Sequence, residues 1–178
     1  MKRISSTRRL CRAAVVAALY TALSYAFAPL AFGPLQVRPA EALCILALFY
    51  IEAIPALYVG CMLTNLASPF LFYDVFIGSA ATLFAAICTY FIGRAVKNTP
   101  SKIALGGLFP VLFNGAVIPL IIVFLCGGGV GYSSMTAAYF AYAGSIAFTE
   151  AIWVYALGTP LYLAVARLRK KSVRIFCD

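Results

Sequence analysis

Apolar residues along this 178-residue chain come in long runs, broken at a few points by proline, glycine or clustered charge. The first run covers 13–31 and ends in Phe32-Gly33-Pro34-Leu35-Gln36-Val37-Arg38-Pro39, whose two prolines and glycine mark a loop. A short second run, 39–51, opens on Pro39, a residue suited to a first helical turn. Glu52 and Pro55 interrupt it, and a third run, 53–67, ends at Ser68-Pro69. The fourth, 73–96, is followed by the polar loop Lys97-Asn98-Thr99-Pro100-Ser101-Lys102. The fifth, 103–126, gives way to Gly127-Gly128-Gly129-Val130-Gly131, and the sixth covers 136–167. A helix crosses the hydrocarbon core with about 20 apolar residues. The pattern therefore predicts an all-α polytopic membrane protein: a six-transmembrane-helix bundle forming a single membrane domain over 1–178. Runs two and three, about 13–15 residues each, are short enough to form one broken hairpin instead.

Composition agrees: 64% of residues are hydrophobic and 11% charged, with a mean hydropathy of +0.98. Soluble chains carry about 25% charge, and one this short could not hide so much apolar surface. The net charge of +9 would suggest nucleic acid in a soluble chain. Here the bases form three clusters beside apolar runs. Lys2, Arg3, Arg8, Arg9 and Arg12 precede the first; Arg94, Lys97 and Lys102 flank the fourth-to-fifth loop; Arg167, Arg169, Lys170, Lys171 and Arg174 follow the sixth. Placing all three in the cytoplasm requires six crossings with both termini inside. The bases then serve as a topology signal with some attraction to anionic lipid, and nucleic acid is not expected as a partner. The first run has the outline of a signal peptide, with Ala26-Phe27-Ala28 resembling a cleavage site. Its spanning length and the runs that follow make a retained first helix the expectation.

Charged groups inside membrane spans are costly and are functional candidates by default. This topology places Gln36, Arg38 and Glu41 at the outer start of span two, and Asn65 near the outer end of span three. Asp74 opens span four, Asn114 lies near the middle of span five, and Glu150 lies about 14 residues into span six. Together they predict one water-accessible pocket opening outward. Plainer readings stand beside it. Arg38 and Glu41, three residues apart, suit an ion pair. Glu41 and Asp74 suit first helical turns, and Asn65 and Asn114 suit interhelical hydrogen bonds. Glu150, with no base nearby in sequence, is the hardest to explain that way.

Carboxylates and amides among aromatics suit a flat, nitrogen-rich molecule. A carboxylate accepts two hydrogen bonds side by side, as the donor pair of a guanine-like edge offers. Tyr142, Phe148 and Trp153 are candidate stacking residues. Ala14, Ala18 and Ala22 recur every four residues, a small-residue strip that suits either packing within the chain or docking of another membrane subunit. Six scattered cysteines and the absence of histidine leave no metal-ligand pattern and no Ser–His machinery. The cysteines suit small apolar packing. The Gly-rich stretch lacks the G-K-[ST] of a phosphate-binding loop. No enzyme activity and no cofactor are expected.

The stretch Gly33-Pro34-Leu35-Gln36-Val37-Arg38-Pro39-Ala40-Glu41-Ala42-Leu43 resembles the G-P-x-Q-x-R-x-x-E-A-L region of the QueT family. These queuosine-precursor transporters are grouped with the substrate-binding S components of energy-coupling-factor (ECF) importers. The similarity continues through Gly60–Leu66 and Asp74–Leu83, and in weaker form at Phe113-Asn114, Glu150 and Leu157–Leu161. Pro39 and Ala56 depart from the family pattern, at positions that are usually aliphatic and glycine. The resemblance implies a six-helix S component that binds a 7-deazaguanine such as preQ0 or preQ1 near the outer face. It also implies a membrane coupling subunit docked on small residues of the first helix, here Ala14, Ala18 and Ala22, and two cytoplasmic ATPases. Other readings are an S component for another vitamin or purine-like base, and an autonomous secondary carrier.

Overall fold

A computed structural model describes residues 6–31, 36–128 and 131–171. Loop residues 32–35 and 129–130, the bases Lys2, Arg3 and Arg174, and Cys177 and Asp178 lie outside them. The described residues form helices only: α1 (Ser6–Ala26), a single turn α2 (Ala28–Ala31), a 3-10 helix (Pro39–Leu48) and α3 (Ala53–Asn65). A short α4 (Leu71–Tyr73) runs through a π segment (Asp74–Gly78) into α5 (Ser79–Ala95). Then come α6 (Thr99–Leu120) with a second π segment (Ile121–Leu125), and α7 (Met135–Lys170). The boundaries follow the apolar runs with four departures: α1 starts at Ser6, seven residues before its run, and α6 at Thr99, inside the expected 97–102 loop; the first run breaks at Phe27, and the second is 3-10 rather than α.

Three helices among the described residues are long and apolar enough to cross a membrane: Leu71–Ala95, Thr99–Leu125 and Met135–Lys170. Their outward residues are large and apolar, Phe91, Phe140 and Phe148 being 63–68% exposed. Water would not tolerate such a surface, whereas lipid does. The protein is an all-α membrane protein.

The 3-10 helix is the axis of the bundle. All ten of its residues are buried, and α1, α5, α6 and α7 all pack against it. Its sequence, PAEALCILAL, is apolar on every side except Glu41, which is what a fully enclosed helix requires. At about 2.0 Å rise per residue, ten 3-10 residues reach about 20 Å, against about 15 Å for an α-helix. The tighter winding lets a short segment extend through much of the bundle. Its C-terminal end meets α5 backbone to backbone at Gly93, where an added Cβ would stand 2.4 Å from the Leu48 carbonyl oxygen. We expect Gly93→Ala to lower stability by about 2 kcal/mol through overpacking, read as a lower melting temperature of the detergent-solubilised protein.

Proline and threonine solve one local problem in this core. Pro110 has no N–H to give the Gly106 carbonyl one turn earlier. The buried Thr89 hydroxyl of α5 donates to that oxygen at 2.8 Å, as lipid-embedded backbone demands.

One end of the bundle is basic and aromatic. Arg12 of α1 pairs with Glu52 in the turn before α3 and lies 4.4 Å from the Tyr50 ring. Arg169, at the end of α7, stands 5.5–5.6 Å from the rings of Tyr50 and Phe49. The start of α1, the 49–52 turn and the end of α7 are thus at the same end, and Gly93 against Leu48 brings the end of α5 there too.

Candidate functional site

Every residue named from the sequence as a site candidate is buried: Gln36, Arg38, Glu41, Asn65, Asp74, Asn114 and Glu150 are 0–8% exposed. The expected water-accessible pocket is a closed polar core in this structure. Five elements supply it: the segment leading into the 3-10 helix and that helix itself, α3, the first π segment, α6 and α7 placing Asn114 beside Glu150.

Glu41 is the best-satisfied member. One carboxylate oxygen accepts from the Tyr20 hydroxyl and from Thr82 at 3.3 Å. The other accepts from the Cys44 thiol at 3.1 Å. Tyr20 reaches it because α1 and α3 approach closely at Gly60, where a Cβ would lie 2.9 Å from that of Tyr20. Cys44 follows Glu41 by three residues in a 3-10 helix, whose side chains stack at that interval. The ion pair between Arg38 and Glu41 that their spacing allows does not form; the protein's own hydroxyl and thiol donors take its place. Two cysteines read as apolar packing are therefore polar partners: Cys61 also lies 3.5 Å from the Thr82 hydroxyl and accepts from Asn65.

Asn65 anchors the first π segment. Its side-chain amide donates to the Asp74 carbonyl at 2.7 Å and to Ser79 at 3.2 Å. The Asp74 carboxylate accepts from Ser68. π segments are rare and concentrate at functional sites; here one sets the direction of an acid. Asn114 donates to Glu150 across the α6–α7 contact. Burial of Ile146, Glu150 and Val154 at four-residue intervals defines the inward face of α7. Phe148 lies on the other face, 68% exposed, so it does not stack on anything in the core. Trp153 packs on Phe27, and Tyr142 on Tyr132.

Sequence reasoning missed Tyr20, Cys44, Ser68, Ser79 and Thr82 as members of the network. Cys44 had a signal, its interval from Glu41; the others meet their partners only through tertiary packing.

Five buried polar atoms in the cluster have no hydrogen-bond partner among the described residues: Gln36 Oε1, Arg38 Nη2, Asp74 Oδ1, Asn114 Oδ1 and Glu150 Oε2. Each is costly in a native core, by about 1–3 kcal/mol. Such groups are rare enough that five together call for a cause. Gln36 also holds a left-handed backbone (φ 49°), a conformation uncommon outside glycine and concentrated at functional sites.

The family model for the QueT transporter matches residues 10–167. The chain belongs to the QueT transporter family. The match covers all seven polar candidates and Ala14, Ala18 and Ala22. The chain is also similar to the "Queuosine precursor transporter QueT" of Lactococcus lactis subsp. cremoris (strain MG1363), with 37% identity over 81 residues. That alignment takes in 44% of this chain and 47% of the relative, so it spans about half of the relative's length. No solved structure matches the chain. Family membership and the apolar helices together make this a membrane transporter-family protein.

Proposed function

We propose that this QueT-family protein is the substrate-binding (S) subunit of an ECF-type, ATP-driven importer, and that its ligand is a queuosine precursor, a 7-deazaguanine such as preQ0 or preQ1. The observation that carries the ligand reading is the set of five unpartnered buried polar atoms on converging elements. A flat heterocycle with a donor-rich edge satisfies them. The printed name of the Lactococcus relative points to the same class of substrate.

In this reading the chain crosses the membrane six times with both termini in the cytoplasm. The basic end, with Arg12, Glu52 and Arg169, faces the cytoplasm, and the polar cluster lies toward the outer leaflet. Energy comes from a membrane coupling subunit and two cytoplasmic ATPases. The docking face for the coupling subunit is the α1 strip Ala14, Ala18 and Ala22. All three side chains are exposed, whereas the close approach within the chain uses Ala17 and Gly60. Beside the strip, α1 and α7 bound an apolar groove of about 430 Å³ that includes Val15, Leu19, Leu161 and Val165.

The test is uptake of labelled preQ0 and preQ1 into vesicles. Uptake is expected only when the coupling subunit and both ATPases are present with ATP. Uptake by this chain alone would favour an autonomous carrier. Ala18→Trp should lower co-purification with the coupling subunit about tenfold, by blocking close helix approach, while ligand binding by the isolated chain stays unchanged.

A further inference from the structure

The groove between α1 and α7 lies outside the polar core. Apolar side chains from three elements line it: Val15 and Leu19 of α1, Leu43 and Leu46 of the 3-10 helix, Leu161 and Val165 of α7. Its volume of about 430 Å³ falls within the range of clefts that hold small ligands, about 300–1,000 Å³. A second cavity, of about 510 Å³, is lined by Ala164, Arg167, Leu168, Lys170 and Lys171. Ala164 and Leu168 line both, so the apolar groove adjoins the basic one.

Charge sits at one end. Arg8 and Arg12 line the groove at the start of α1, and Arg167, Lys170 and Lys171 line the adjoining cavity at the end of α7. Against these five bases, Glu52 is the one acid in either lining among the described residues, and Arg12 pairs with it. Length is the second constraint. From Leu19 back to Arg8, α1 runs about 16 Å, and from Leu161 to Lys170, α7 runs about 14 Å. The hydrocarbon core is about 30 Å thick, so the groove has the depth of a single leaflet. A helix crossing the whole bilayer needs a longer face, whereas one phospholipid fits this one.

We propose that the groove holds one anionic phospholipid of the inner leaflet, with an acyl chain along Val15, Leu19, Leu161 and Val165 and the phosphate against Arg167, Lys170 and Lys171. Lipid tails are as apolar as the groove, so seating a chain gains packing contacts and does not distinguish one phospholipid from another. Selection comes from the bases, as in basic pockets between helices on the cytoplasmic side that bind anionic headgroups. The site goes beyond the transport reading and takes from it only the orientation, basic end to the cytoplasm.

The experiment is native mass spectrometry of the full chain in detergent with added dioleoyl phosphatidylglycerol or dioleoyl phosphatidylcholine. The two lipids share their chains and differ in headgroup charge. We expect the first phosphatidylglycerol to bind about tenfold more tightly than phosphatidylcholine. Lys170→Gln with Lys171→Gln, both at exposed positions, should bring that preference down to about twofold and leave phosphatidylcholine unchanged. Ala164 is exposed and lines both cavities. Ala164→Trp should fill their junction and weaken both lipids alike, with the melting temperature unchanged. Equal affinity for the two lipids, a preference that survives the lysine substitutions, or phosphatidylglycerol binding with no distinct first site overturns the proposal. So does an Ala164→Trp protein that loses co-purification with the coupling subunit but keeps its lipid binding, because the groove then belongs to a protein partner.

Discussion

Glu150→Gln is expected to weaken ligand binding by about 1,000-fold and to leave the melting temperature of the ligand-free protein within about 2 °C. The side chains are the same size, and the amide oxygen of glutamine still accepts from Asn114, which holds Glu150 in the native core. What changes is the free position. Glu150 Oε2 is a buried oxygen with no partner among the described residues; the substitution puts an N–H₂ donor there. A ligand donor would then face a donor in a low-dielectric site. Sites built to hydrogen-bond a particular group lose most of their affinity when the pairing is broken, because both partners are left unpaired. Titration calorimetry and thermal melting on the same preparation check it. A loss of affinity below tenfold would remove Glu150 from the ligand contacts. A parallel fall in melting temperature would make its role one of packing.

The second large effect falls on stability. Glu41→Ala is expected to cost about 3–5 kcal/mol and to lower the melting temperature by about 10 °C. Both Glu41 oxygens are occupied by the protein's own donors, Tyr20, Thr82 and Cys44. Removing the carboxylate leaves three buried donors from three elements without their shared acceptor and opens a cavity at the axis of the bundle. The contrast with Glu150 is the point of the pair. Both are fully buried acids, but one is saturated from within and the other is not. Thermal melting of Glu41→Ala beside Glu41→Gln separates the loss of acceptor from the loss of charge. A fall below about 3 °C for Glu41→Ala would show that the hydrogen bonds around it contribute little to stability.

The helix boundaries were legible because the signals are local. A run opened at Pro39 and others ended at Ser68-Pro69, at the 97–102 loop and at the glycines from 127, and the 3-10 helix, α3, α5, α6 and α7 begin or end within a few residues of those marks. The 3-10 winding of 39–48 was not legible. Its composition suits any enclosed helix, and the tighter pitch follows from what surrounds it, including the backbone contact at Gly93. All seven polar candidates proved buried because a polar group within an apolar run has only the protein interior as an alternative to lipid. Phe148 was misplaced for the converse reason: an aromatic ring is equally at home in lipid or in a core, so sequence alone does not say which way it faces.

Hydropathy along single segments was thus enough to read the chain as an all-α membrane protein, to mark most of its helix ends, and to say which polar side chains turn inward; it missed the starts of α1 at Ser6 and α6 at Thr99, where polar and charged residues join the helix. Which of those side chains satisfy one another, and which keep a free atom, came from the way the helices pack. Tyr20 meets Glu41 across 21 positions, and Asn114 meets Glu150 across 36. Such pairings depend on how helices cross, and hydrogen bonding is resolved atom by atom at distances of about 3 Å, far finer than any pattern along the chain records.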